Sequence, residues 1–167
     1  MGSVLEWIKS LPPSVALAVI TLVPALELRA SIPYGIFAGY FWPYVVSVCV
    51  IANIVLGVLV FIFLDRFVHL FLRWRLLARL YDYYVARTQR KIQRHVERWG
   101  ELGVAVFIGI PLPGSGVYTG ALAAYVLGMS CRKFIVADII GVVIAATVVT
   151  VACLFFESSA GWLFKAI

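Results

Sequence analysis

Two apolar stretches, each longer than one membrane span and each broken in its middle, constrain this chain more than any other feature. Leu11 to Phe41 contains "ALELRASIPYGI", and Leu102 to Met129 contains "GIPLPGSGVYTG". Proline lacks the N–H that a helix needs and glycine weakens a helix, so clusters of the two end one helix and start another. Each stretch therefore reads as two half-helices. A half such as Leu102 to Ile110 reaches only about 13 Å at 1.5 Å per residue, too short to cross a bilayer. Such a pair can enter and leave on the same side, as a re-entrant hairpin.

Two further stretches, Tyr44 to Leu64 and Phe134 to Phe156, are apolar and uninterrupted. Each has about the twenty residues that a hydrocarbon core of about 30 Å requires. Lipid is the fitting surroundings for the whole chain. It is 63% hydrophobic and only 13% charged, so it has too few polar residues to cover a water-facing surface.

Charge placement orients the segments. Nine of the fourteen Lys and Arg lie between Arg66 and Arg98, before the second broken stretch, and Arg132 and Lys133 follow it. Both flanks should be cytoplasmic, which a hairpin satisfies and a single crossing does not. Tyr44 to Leu64 then runs inward from a headgroup cluster of Tyr40, Phe41, Trp42 and Tyr44. The first stretch would dip from the outside. The alternative stays open that Pro13 to Leu26, tilted, crosses fully and leaves Lys9 inside.

The expected fold is an all-α integral membrane protein, an inverted repeat of re-entrant helical hairpin plus transmembrane helix, joined by a basic amphipathic cytoplasmic helical segment. As one membrane domain over 1–167, it comprises hairpins at 11–42 and 101–130, spans at 43–64 and 134–156, and the basic segment at 65–100. In that segment Phe67, Leu70, Phe71, Trp74, Leu77, Tyr81 and Tyr84 recur at helical spacing. This suits a helix lying in the interface with its arginines near anionic headgroups. His69 and His95 read as solvated residues of the same helix. A prokaryotic cell membrane protein with several passes is the expected setting.

Several functions are disfavoured. The net charge of +6 is concentrated beside spans, the usual cytoplasmic signature, so nucleic acid is not an expected partner. Cys49, Cys131 and Cys153 are far apart, without CxxC or nearby histidine spacing, and read as small apolar fillers. Neither a metal nor another cofactor is expected. No HExxH, GxSxG or carboxylate dyad points to an enzyme.

The polar residues of the broken stretches are the candidate site. Unpaired backbone groups at membrane depth are tolerated only where protein or a hydrated cavity covers them, so the two breaks are expected to face each other. Glu27 is placed at the end of the first half-helix as a coupling carboxylate, with Arg29 as an anion contact and Ser31 and Pro33 beside them. Pro111, Pro113, Gly114, Ser115, Tyr118 and Thr119 form the second half of the site. The bland alternative is a structural ion pair between Glu27 and Arg29, with prolines that only turn the chain. Asn53 is either interhelical glue or a site member, and Asp138 either a site residue or a neutraliser of Arg132 and Lys133. Gly57 and Gly141, expected to face lipid, suit close helix contacts and a homodimer.

"ELRASIPYGI" and "GIPLPGSGVYTGALAAYVLGM", joined through the basic region, resemble the small multi-drug export protein family, a small relative of the DedA or VTT-domain superfamily. The resemblance spans roughly residues 20 to 150. It implies opposed re-entrant hairpins and a role in moving lipids between leaflets or in proton-dependent drug resistance. Glu27 corresponds by position to an essential acidic residue of DedA proteins. The sequence departs from them in having no Arg or Lys between Ile108 and Met129. The resemblance thus implies a transporter or flippase for an amphipathic, anionic lipid-like substrate, proton-coupled through Glu27, with membrane lipids as partners. The alternatives are a passive lipid scramblase and an exporter of small drugs.

Overall fold

The computed structural model describes residues 11–24, 26–71, 100–111 and 115–165. Six helices occupy them: α1 Pro13–Leu22, α2 Glu27–Phe37, α3 Trp42–Phe71, α4 Gly100–Gly109, α5 Val117–Val126 and α6 Cys131–Lys165. Most of the basic segment expected at 65–100 lies outside the described residues. Its first part, Arg66 to Phe71, continues α3.

Trp42–Phe67 of α3 and Cys131–Glu157 of α6 are long and apolar enough to cross a membrane. At 1.5 Å per residue each covers about 40 Å, more than the hydrocarbon core alone. Ile51, Val55, Leu59, Ile62 and Phe63 lie exposed along α3, and Val136, Ile140, Val143, Val151 and Phe155 along α6. Bare branched and aromatic side chains in such rows suit lipid rather than water.

The described residues gather into two compact units, one drawn from Met1–Asn53 with Val143–Ile167, the other from Ile54–Val142. In the first, α1 and α2 run antiparallel. Thr21 Oγ1 lies 2.8 Å from Ser31 Oγ, and one turn back Leu17 packs against Gly35. The break between them falls at Val23 to Leu26. The expectation that Pro33 and its neighbours form the break is corrected: Pro33 sits inside α2. It denies the Arg29 carbonyl one N–H donor, yet the apolar neighbours of α2 hold the helix past it. Glu27 accordingly opens the second short helix instead of ending the first.

Helix α3 packs on α2 in this unit, also antiparallel. Val45 touches the bare backbone of Gly35, and Cys49 is within hydrogen-bonding reach of Ser31 and Thr21. A Cβ on Gly35 would fall 2.5 Å from Val45 Cγ1, so the close approach of α2 and α3 requires glycine there. Phe37 meets Phe156 of α6 edge to face, with centroids 6.2 Å apart.

In the second unit α3 and α6 are antiparallel, with Asp138 against Gly57 and Phe134 stacked on Phe61 at 4.6 Å. Helix α4 runs parallel to α6: Glu101 pairs with Lys133 at 3.3 Å, and further along Ala105 and Ile108 press on Gly141. The two helices thus begin at one level. The turn from Leu127 to Ser130 joins the end of α5 directly to the start of α6, so the α4–α5 pair comes back to where it began. Gly57 and Gly141 are buried within the unit, which corrects the expectation that they face lipid. Each makes room for a neighbouring helix of the same chain.

Candidate functional site

Glu27 is only 5% exposed and has φ of 45°, the one left-handed non-glycine residue among those described. Left-handed backbone costs a residue with a Cβ about 1–2 kcal/mol, and such residues gather where function fixes the chain. The local chain explains the conformation. Leu26 N–H donates to the Val23 carbonyl at 3.1 Å and Glu27 N–H to the same oxygen at 3.2 Å. This tight turn contains Pro24, and Glu27 reverses the backbone sense at the first residue of α2. The departure from helical geometry at its first residue brings Glu27 and Arg29 into electrostatic contact despite their spacing of two. Arg29 is half-buried.

The first unit also buries a polar group of unusual size for so apolar a chain. Thr21, Ser31, Cys49 and Asn53 are all buried, each at 1% exposure or less. The Ser31 hydroxyl donates to the Glu27 carbonyl at 3.2 Å. The Thr21 hydroxyl reaches both the Leu17 carbonyl and Ser31 Oγ at 2.8 Å, with one proton for either. These bonds tie the start of α2 to α1. Thr21 and Cys49 are absent from the sequence reading of the site. Cys49, expected as an apolar filler, instead meets two hydroxyls. Its signal was the four-residue spacing Val45, Cys49, Asn53, which sets three small side chains on one face of α3.

The second broken stretch is built differently. The Ser115 hydroxyl donates to the Ile110 carbonyl at 2.6 Å. Gly116 N–H donates to Thr119 Oγ1 at 3.0 Å, and the Thr119 hydroxyl lies 3.2 Å from the Gly116 carbonyl. These bonds close the turn and cap α5, satisfying donors that a helix start leaves open. Tyr118 is half-buried and Pro111 exposed; Pro113 and Gly114 lie outside the described residues. Gly120 receives Ile108, whose Cγ1 would clash with a Cβ there. The named site residues thus divide between the units, Glu27, Arg29, Ser31 and Pro33 in the first and the rest in the second.

Asp138 is fully buried, one turn from Phe134, with both carboxylate oxygens against Gly57. Its carboxylate lies in the interior of the second unit. Among the described residues no group of His, Cys, Asp and Glu is placed to hold a metal ion.

Two apolar helices of crossing length, two pairs of short helices and a buried carboxylate at a chain reversal define a helical membrane protein with a polar interior. The chain belongs to the small multi-drug export protein family: a model of the family described as "Putative small multi-drug export protein" matches residues 27–148. That match begins at Glu27 and takes in α2 to α5 and the first half of α6. No curated protein matches the chain, and no solved structure does.

Proposed function

We propose that this protein exports small amphipathic molecules across a prokaryotic cell membrane, with Glu27 as the ionisable residue that couples export to proton movement. The observation that carries the reading is a carboxylate buried at a left-handed backbone position, within a chain whose family is named for export. Ionisable residues at membrane depth mark ion and proton pathways. Arg29 is the electrostatic neighbour of Glu27 and the contact for an anionic group on the substrate. Ser31 and Thr21 hold the turn that presents Glu27.

The short helix pairs are re-entrant in this proposal, each returning to the side it entered, and the two are related as an inverted repeat. The antiparallel packing of α1 with α2 and the shared level of the α4 and α6 starts support that arrangement. A kinship with DedA and VTT-domain proteins belongs to the same proposal and rests on the position of Glu27. The lipid-flippase reading that this kinship implies has Arg29 as its main support, whereas the family match favours drug-sized substrates.

The test is transport by the full chain in proteoliposomes under an imposed pH gradient, with the cationic dye ethidium and a fluorescent phospholipid as probes. Wild type should move the dye along with the gradient, and Glu27→Gln should lose at least about 90% of that rate, as removal of a proton-carrying group does. Dye transport by Glu27→Gln at the wild-type rate would sink the coupling role. Phospholipid movement that ignores the gradient, with no dye transport, would replace export with passive scrambling.

A further inference from the structure

Helices α2 and α3 pack antiparallel in a fixed register. Gly35 lies against Val45, and one turn along Ser31 meets Cys49. Each step takes four residues forward on one helix and four back on the other, which keeps one face of each in contact. Carried one step further, the same register sets the backbone of Glu27, the first residue of α2, at the level of Asn53. Both belong to the first compact unit and both are buried, Asn53 at 1% exposure.

Asn53 also stands out by its bonding. Its amide oxygen is fully buried and has no hydrogen-bond partner among the described residues. Buried polar atoms are nearly always paired, and an exception calls for a cause. The hydroxyls nearby do not supply one, because Ser31 is directed to the Glu27 carbonyl and Thr21 to Leu17 or Ser31. A carboxylate is an acceptor when ionised, and so is an amide oxygen. Two acceptors brought to the same level of a dry helix contact repel unless something positive lies between them.

We infer that Asn53 and Glu27 form one binding site for a single positive charge, a proton or a small monovalent cation, held between the amide oxygen and the carboxylate. Asn53 accepts the hydrogen bond of the protonated acid, or serves as the second oxygen ligand of the cation. It thereby sets how tightly the coupling charge is held. The remaining titratable groups of this unit among the described residues are few. Helix α1 contributes none; α2 and its following turn carry Arg29, Tyr34 and Tyr40; α3 contributes Tyr44 and Cys49; α6 contributes Cys153 and Glu157. Arg29 is the electrostatic neighbour of Glu27 among them.

The role in coupling rests on the export reading, but the pairing does not, and it is measured without transport. The carboxyl stretching band of Glu27, identified by its loss in Glu27→Gln, is followed by infrared difference spectroscopy while the full chain in lipid is titrated with acid. Asn53→Ala should move the midpoint of this band to lower pH by about one unit, a tenfold weaker hold on the proton. Asn53→Asp should move it upward, because two facing carboxylates share one proton. Titration in sodium chloride against choline chloride separates the two ligands: a midpoint lowered by sodium alone identifies a competing cation, and equal midpoints identify the proton.

An unmoved midpoint in both variants would overturn the pairing, whether or not the protein transports ethidium. Should Asn53→Ala not fold, a cysteine pair decides the same question. Glu27→Cys with Asn53→Cys, in a chain with Cys49, Cys131 and Cys153 replaced by serine, should be linked by iodine oxidation. Ser31→Cys with the native Cys49 is the positive control. Linkage of the control without linkage of the 27–53 pair would refute the register.

Discussion

Replacing Gly141 by alanine tests the closest backbone approach in the second unit. A Cβ there would lie 2.7 Å from the Ala105 carbonyl oxygen and 2.7 Å from Ile108 Cβ. Neither atom belongs to the flexible end of a side chain, so α4 and α6 must separate. Overpacking of this kind costs about 1–3 kcal/mol. Alanine in place of glycine also returns about 1 kcal/mol of helix propensity, which hides part of the loss. Gly103 on α4 supplies the control, because a Cβ there meets nothing within 4 Å. Gly103→Ala should gain the propensity alone. The difference between the two variants then isolates the clash and should be about 1–3 kcal/mol. The assay is reversible unfolding in mixed micelles as the fraction of dodecyl sulfate is raised, followed by far-ultraviolet circular dichroism. Equal stabilities for Gly141→Ala and Gly103→Ala would refute the packing of α4 against α6.

Two more substitutions read the fold at other points. Phe61 stacks on Phe134 and meets Tyr125 edge to face, so Phe61→Ala should lower stability by about 3–5 kcal/mol in the same unfolding assay. The left-handed backbone of Glu27 sets Glu27→Gly apart from Glu27→Ala: both lose the carboxylate, but glycine should be the more stable by about 1 kcal/mol, since it alone adopts that conformation without strain.

What could be read from the residues and what could not follows physical lines. Prolines and glycines announced two interrupted apolar stretches, and α1 to α2 and α4 to α5 are those interruptions. The long runs around Val55 and Ile144 announced α3 and α6, because only length and apolarity were needed. The place of the first break was not legible. Pro24 and Pro33 carry the same local signal, and only packing decides that the chain turns at one and stays helical through the other. Glu27 was recognisable as an anomaly by its chemistry alone. Its backbone conformation was not, since glutamate has no preference for left-handed geometry and adopts it here under the constraint of the Val23 to Leu26 turn. Cys49 and Thr21 escaped notice because each is small and sits in an apolar helix. Their polarity matters only once α1, α2 and α3 bring them together.

One unit is a continuous run of chain, Ile54–Val142, while the other is gathered from before and after it. A ribosome therefore hands over every residue of the continuous unit while the other still lacks its last contribution. Through that interval Phe37 waits for Phe156 to reach it. A nascent chain that has emerged only as far as Val142 would therefore hold the Ile108–Gly120 contact formed while the Phe37–Phe156 contact is still to be made.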